Sequence, residues 1–162
     1  MTRSLVILWA RPCRWRLGSG FEKGIATLEE AQSKIPPEIK GDLGRLPPEW
    51  VALQRETDVA QVSAIHFASV ANQSRFVMAR DELAKATTAD AARPLIAELE
   101  RMLNAEIELA QRLYVIQCRD SRIGFEASNQ YNYVPIDLME KVIDCRDLLD
   151  RWLPAQKQKW AR

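Results

Sequence analysis

Glu106 is the residue whose position most departs from a solvated helix surface. It interrupts an otherwise apolar stripe, Leu95, Leu99, Met102, Glu106, Leu109, Leu113 and Ile116, which steps by three and four residues. A carboxylate entering such a seam must be hydrogen-bonded or protonated, because an unpaired buried charge is strongly unfavourable. A second stripe, Val62, Ile65, Ser69, Asn72, Phe76, Ala79 and Leu83, carries its own polar member at Asn72. Asn72 and Glu106 therefore form either a structural polar layer that fixes register or a perturbed carboxylate lining a site, with Gln73 and Arg75 close enough in sequence to reach it.

Other catalytic constellations fall away. His66 is the only histidine, so any serine or cysteine triad with a histidine base would have to use it. It lies inside Val59–Ser74, sixteen residues without a charge, and is expected to be a hydrogen-bonded core residue of an enclosed helix. Di-iron bundles use Glu-x-x-His, and position 63 here is serine. Cys13, Cys118 and Cys145 are far apart, odd in number and lack a C-x-x-C spacing. They predict reduced, buried thiols rather than a disulfide framework or a zinc site. No metal and no cofactor is expected, and no catalytic residue is assigned.

The remaining polar cluster is Asp120-Ser-Arg-Ile-Gly-Phe-Glu-Ala-Ser-Asn-Gln-Tyr-Asn-Tyr-Val-Pro135. It is longer than the usual connection in a bundle, and long loops in compact domains tend to be functional or disordered. Phe125, Tyr131 and Tyr133 give it apolar bodies to dock, which argues for order. Arg122, Glu126, Ser128, Asn129, Tyr131 and Tyr133 are the candidate ligand- or domain-facing residues, with Ile123, Phe125 and Val134 as anchors. The alternative is a purely structural loop packed on the bundle.

These residues must be positioned by helices. Phe21, Ile25, Leu28, Ala31 and Ile35 mark one face of a helix that Pro36-Pro37 ends. Residues 36–48, with four prolines, read as a connector. Pro47-Pro48-Glu49 opens a second helix reaching about residue 86. Thr87, Thr88 and Asp90 turn and cap the chain into a third, with Pro94 in its first turn, that reaches about Arg119. Pairing the second and third antiparallel aligns 83 with 95, 79 with 99, 76 with 102, 72 with 106, 69 with 109, 65 with 113 and 62 with 116. Large residues then tend to face small ones, as interdigitating layers require. A second stripe on the third helix, Ile96, Leu103, Ile107, Ala110 and Tyr114, calls for a further partner. Leu138, Val142, Cys145, Leu149 and Trp152 supply it on a fourth. The predicted fold is all-α, an antiparallel bundle of three to four helices with a long ordered loop before the last.

Composition agrees and excludes several classes. Six glycines and eight prolines in 162 residues leave long helix-favouring stretches. A net charge of +1, from 23 basic and 22 acidic residues, provides no global field for nucleic acid or an anionic membrane. The uncharged run is too short and too polar for a membrane span. Residues 1–20 hold four arginines and the apolar run Leu5–Ala10. That run is shorter than a signal-peptide core and is followed by arginines where a cleavage site belongs, so a cytoplasmic protein is expected. The segment reads as an accessory or ragged tail, residues 21–153 as the bundle, and 154–162 as a basic, frayed tail.

Asp120-Ser-Arg-Ile-Gly-Phe-Glu-Ala-Ser-Asn129, the tyrosine pair after it and Asp137-Leu-Met-Glu-Lys-Val-Ile-Asp-Cys-Arg146 resemble the C-terminal helical region of large bacterial glycoside-hydrolase-like proteins. These join a hexosaminidase-like or α-glucuronidase-like barrel to a helical domain. Phe67-Ala-Ser-Val-Ala-Asn-Gln-Ser-Arg-Phe-Val-Met-Ala-Arg-Asp81 is similar too, so the likeness covers roughly residues 21–153. The chain has Asn129-Gln130-Tyr131 where the family pattern has Asn-His-Tyr, which counts against proton transfer at that position. The resemblance implies a non-catalytic helical domain whose 120–135 loop faces a barrel or a saccharide, the catalytic acids residing in an upstream or separately encoded barrel. Two other readings of the residues stand beside it: a small enzyme using Glu106 and Glu126, and a stand-alone protein-interaction bundle.

Overall fold

The computed structural model describes residues 47–120 and 134–161, together with 23, 26, 27, 30, 33, 34, 123, 125, 126, 131 and 132. The described chain is all-α apart from one minimal ribbon. Helix α1 spans Pro48–Lys85 and α2 spans Ala89–Arg119. Two-residue strands β1 (Phe125–Glu126) and β2 (Tyr131–Asn132) follow, then α3 (Pro135–Asp147), a π turn (Leu148–Trp152) and α4 (Leu153–Lys159). The chain divides into two compact units, Met1–Ala71 and Asn72–Arg162.

In the first unit, Lys23, Ala26, Thr27, Glu30 and Ser33 are helical and exposed, which is the solvent side of the helix predicted over 21–35. Its apolar stripe and the tail 1–20 lie outside the described residues. Helix α1 opens as expected, with Val51 N–H donating to the Pro47 carbonyl at 3.0 Å. The uncharged run is not enclosed on most sides. Ala64, Ile65, Ser69 and Ala71 are buried, but Val59, His66 and Gln73, seven residues apart, are exposed. Neutral polar residues and small apolar ones cover the solvent face here in place of lysine and glutamate, so absence of charge did not mean absence of water. His66 is thus a surface residue, its ring 6.1 Å from that of Phe67, and not a core histidine. An interior polar pair appears elsewhere: Gln54 Nε2 donates to Asp58 Oδ1 at 2.9 Å, with both residues buried.

The second unit holds the bundle core. Thr88 caps α2, its hydroxyl accepting from Ala91 N–H at 3.3 Å. Ala79 and Leu83 of α1 pack with Ala92, Ile96, Leu99 and Met102 of α2 and with Leu153 of α4, and Phe76 and Leu95 close the edges. The members of the predicted pairs 83/95, 79/99 and 76/102 thus meet in one cluster, as an antiparallel α1–α2 hairpin requires. The other stripe of α2 finds the predicted partner: Leu103 and Ile107 cluster with Cys145, flanked by Val142, Leu148 and Leu149.

The C-terminal end departs from expectation. The predicted frayed tail is helical to Lys159. Leu153 is 1% exposed, Trp160 packs against the core, and Lys157 Nζ meets Glu100 Oε2 at 2.7 Å. Its basic residues mark a helix C-terminus, where cations complement the backbone dipole. Pro154 accounts for the π turn before it. In a regular helix its ring would strike the Asp150 carbonyl. The wider turn avoids this, with Leu153 N–H donating five residues back to the Leu148 carbonyl.

Candidate functional site

The polar layer is real and larger than the sequence suggested. Asn72 Nδ2 donates to Glu106 Oε2 at 3.3 Å, closing the predicted fourth rung. Lys141 of α3 brings a cation to this level, its ammonium ion-paired with Glu106 Oε1. Glu106 is buried and the lysine side chain is 21% exposed. Lys141 lies beside Leu138, Val142 and Cys145 on the core side of α3, so its place in the seam could have been read from its spacing. Arg75, suggested as a neighbour of Glu106, bears on the Glu98 carboxyl. Together with Arg101, whose hydrogen bond is the main cause, it holds the Glu98 carboxyl below the usual range.

One turn beyond Lys141, burial pushes the Cys145 thiol up, and the Glu106 charge adds to the effect. Cys145 is buried as predicted, whereas Cys118 is exposed on α2; both are free. The layer joins three helices through amide, carboxylate and ammonium. Burial and partners on both oxygens of Glu106 suit it to fixing register, not to meeting a substrate as a hydrolytic acid must.

Asp120 closes α2, its N–H donating to the Ile116 carbonyl and its own carbonyl accepting from Ile123 N–H. Strands β1 and β2 then pair antiparallel, Phe125 opposite Asn132 and Glu126 opposite Tyr131. This ribbon was not foreseen, because two residues per strand carry no readable alternation. Val134 N–H donates to Asp137 Oδ2 at 2.8 Å and Pro135 occupies the first turn, so the loop delivers the chain directly into α3. Of the predicted site residues, Glu126 and Tyr131 are brought to one level of the ribbon backbone. Arg122, Ser128, Asn129 and Tyr133 lie outside the described residues. The anchors Ile123 and Val134 are half-buried.

The solvent side of α3 was missed. Ile136, Met139 and Ile143 are exposed there; the signal was present as apolar residues left over once Leu138, Val142 and Cys145 are assigned to the core. Elsewhere, Ile96, Ala97, Glu100, Lys157 and Trp160 line an open recess of about 280 Å³ whose facing charges are already paired. Among the described residues no group of three or more histidine, cysteine or acidic side chains could hold a metal ion, and no helix is long and apolar enough to cross a membrane. No family model, curated protein or solved structure matches the chain.

Proposed function

We propose that this chain is a non-catalytic helical interaction domain that engages a partner protein through α3. The observation carrying this reading is the line of exposed apolar residues, Ile136, Met139 and Ile143, on a helix whose opposite side is already committed to the core by Leu138 and Cys145. Exposed apolar surface gathered in one place is costly to a monomer and marks contact sites. A catalytic barrel is the partner the sequence resemblance implies. Affinity capture from the cells that make the protein tests the reading. A partner should be retained by the natural chain and lost on Ile143→Asp, with helicity and melting temperature preserved. Identical captured sets would exclude α3 as the contact.

A saccharide-facing loop is the second reading, favoured by the pairing of Glu126 with Tyr131. Tyrosine supplies an apolar face and a hydroxyl, and glutamate an acceptor, as a pyranose requires. Replacing Glu126 and Asn129 with alanine should leave stability within about 1 kcal/mol while abolishing retention on immobilised oligosaccharides. Retention that is absent in the natural chain would end this reading.

A further inference from the structure

The chemistry of the α3 surface narrows its partner. Ile136, Met139 and Ile143 are 55%, 50% and 64% exposed and step by three and four, which sets them in one stripe along the helix. Glu140, Asp144 and Asp147, all exposed, step by four and three along one flank. Asp147 is held by Arg151 at 3.0 Å, so Glu140 and Asp144 give that flank its negative character. On the other flank stands the exposed Arg146. The face is thus apolar along its middle and acidic along one side.

We propose that it seats a basic amphipathic helix of a partner protein, apolar residues lying on Ile136, Met139 and Ile143 and a row of lysines or arginines beside Glu140 and Asp144. This rests on the interaction reading above and specifies the partner's chemistry. Helices dock on one another by apolar anchors at such spacing, with flanking charges selecting partner and orientation. Charge decides among the possible occupants. A second copy of this chain laid antiparallel would set acidic flank against acidic flank, and one laid parallel would offer Glu140 and Asp144 only the single Arg146, so neither supplies the row of cations that complements the flank. Nucleic acid would meet the same repulsion.

The test uses two labelled helical peptides of about 15 residues, four turns in length, with the same leucine stripe. One bears a flanking row of lysines and the other a row of glutamates. Fluorescence anisotropy against the full chain should show the lysine peptide binding roughly tenfold or more tightly than the glutamate peptide, and more weakly as salt is raised. Ile143→Asp should abolish binding of both. Glu140→Lys with Asp144→Lys, which alters only exposed positions, should reverse the preference between peptides. Equal binding of the two peptides, binding of neither, or a preference unmoved by the charge reversal overturns the proposal. So does self-association in sedimentation that Ile143→Asp removes, since a second copy would then occupy the face. Loss of a captured partner on Ile143→Asp without any preference between peptides overturns the basic helix while leaving α3 as the contact.

Discussion

At the scale of single residues, Glu106 and Lys141 are worth more to each other than either is to the fold. Removing one deprives the other of its ion-pair partner inside a layer largely shielded from water, whereas removing both takes the pair out as a unit and leaves Asn72 as the remaining polar group of the layer. Glu106→Leu or Lys141→Leu alone should therefore cost about 3 kcal/mol, and the double replacement should recover part of the loss in urea unfolding, the Asn72 amide still lacking its Glu106 acceptor. Strict additivity would show that the pair does not couple. Cys145 makes a pH-dependent contribution of definite sign. Its folded-state pKa is raised by burial first and by Glu106 second. The stabilisation is complete below the ordinary thiol value and is lost as pH rises through the folded-state value, because the unfolded thiol ionises first. The stability difference between the natural chain and Cys145→Ala should shrink above the ordinary thiol value. A difference constant with pH would mean the thiol is not held neutral.

At the scale of elements, stripes that bury side chains were legible and surfaces that expose them were not. Ala79, Leu83, Leu99 and Met102 announced α1, α2 and their register, since burial leaves a period of three and four that few other arrangements produce. Asn72 and Glu106 stood out for the same reason, as breaks in a period. Val59–Ser74 misled because neutral polar side chains can face water as readily as charged ones. The ribbon could not be read, for two residues contain no period, whereas Lys141 was passed over although its spacing from Leu138, Val142 and Cys145 marks the core side of α3. Local caps follow the sequence closely. Thr88→Ala removes the acceptor for Ala91 N–H and should cost about 1 kcal/mol, whereas Thr87→Ala, outside the cap, should be nearly silent in thermal melts.

At the scale of the whole molecule, the last ten residues help hold the second unit together. Leu153 sits in the same cluster as Leu99 and Met102, Trp160 packs against it, and Lys157 reaches back to Glu100. Leu153→Ala should cost about 2 to 5 kcal/mol, the range for truncating a buried leucine, and removing residues 153–162 should lower the melting temperature further than that substitution. The ion pair contributes little by comparison, being about half exposed to solvent, so Lys157→Ala should shift the melt only slightly. An unchanged melt after the truncation would return the segment to the status of a tail.

The π turn also gives the C-terminus a property of tolerance to length. A turn closed five residues back contains one residue more than an α turn, so the Leu148–Trp152 turn holds a single excess residue whose removal would leave the phase of both flanks intact. Deleting the exposed Asp150 should then keep Leu149 and Leu153 in their seats, provided that Pro154 no longer needs the extra room. Alone, the deletion forces the proline ring against a helix carbonyl and should cost about 3 kcal/mol; combined with Pro154→Ala it should be nearly neutral. The length of this helix and the identity of residue 154 are, on this view, one inherited choice that can change only together.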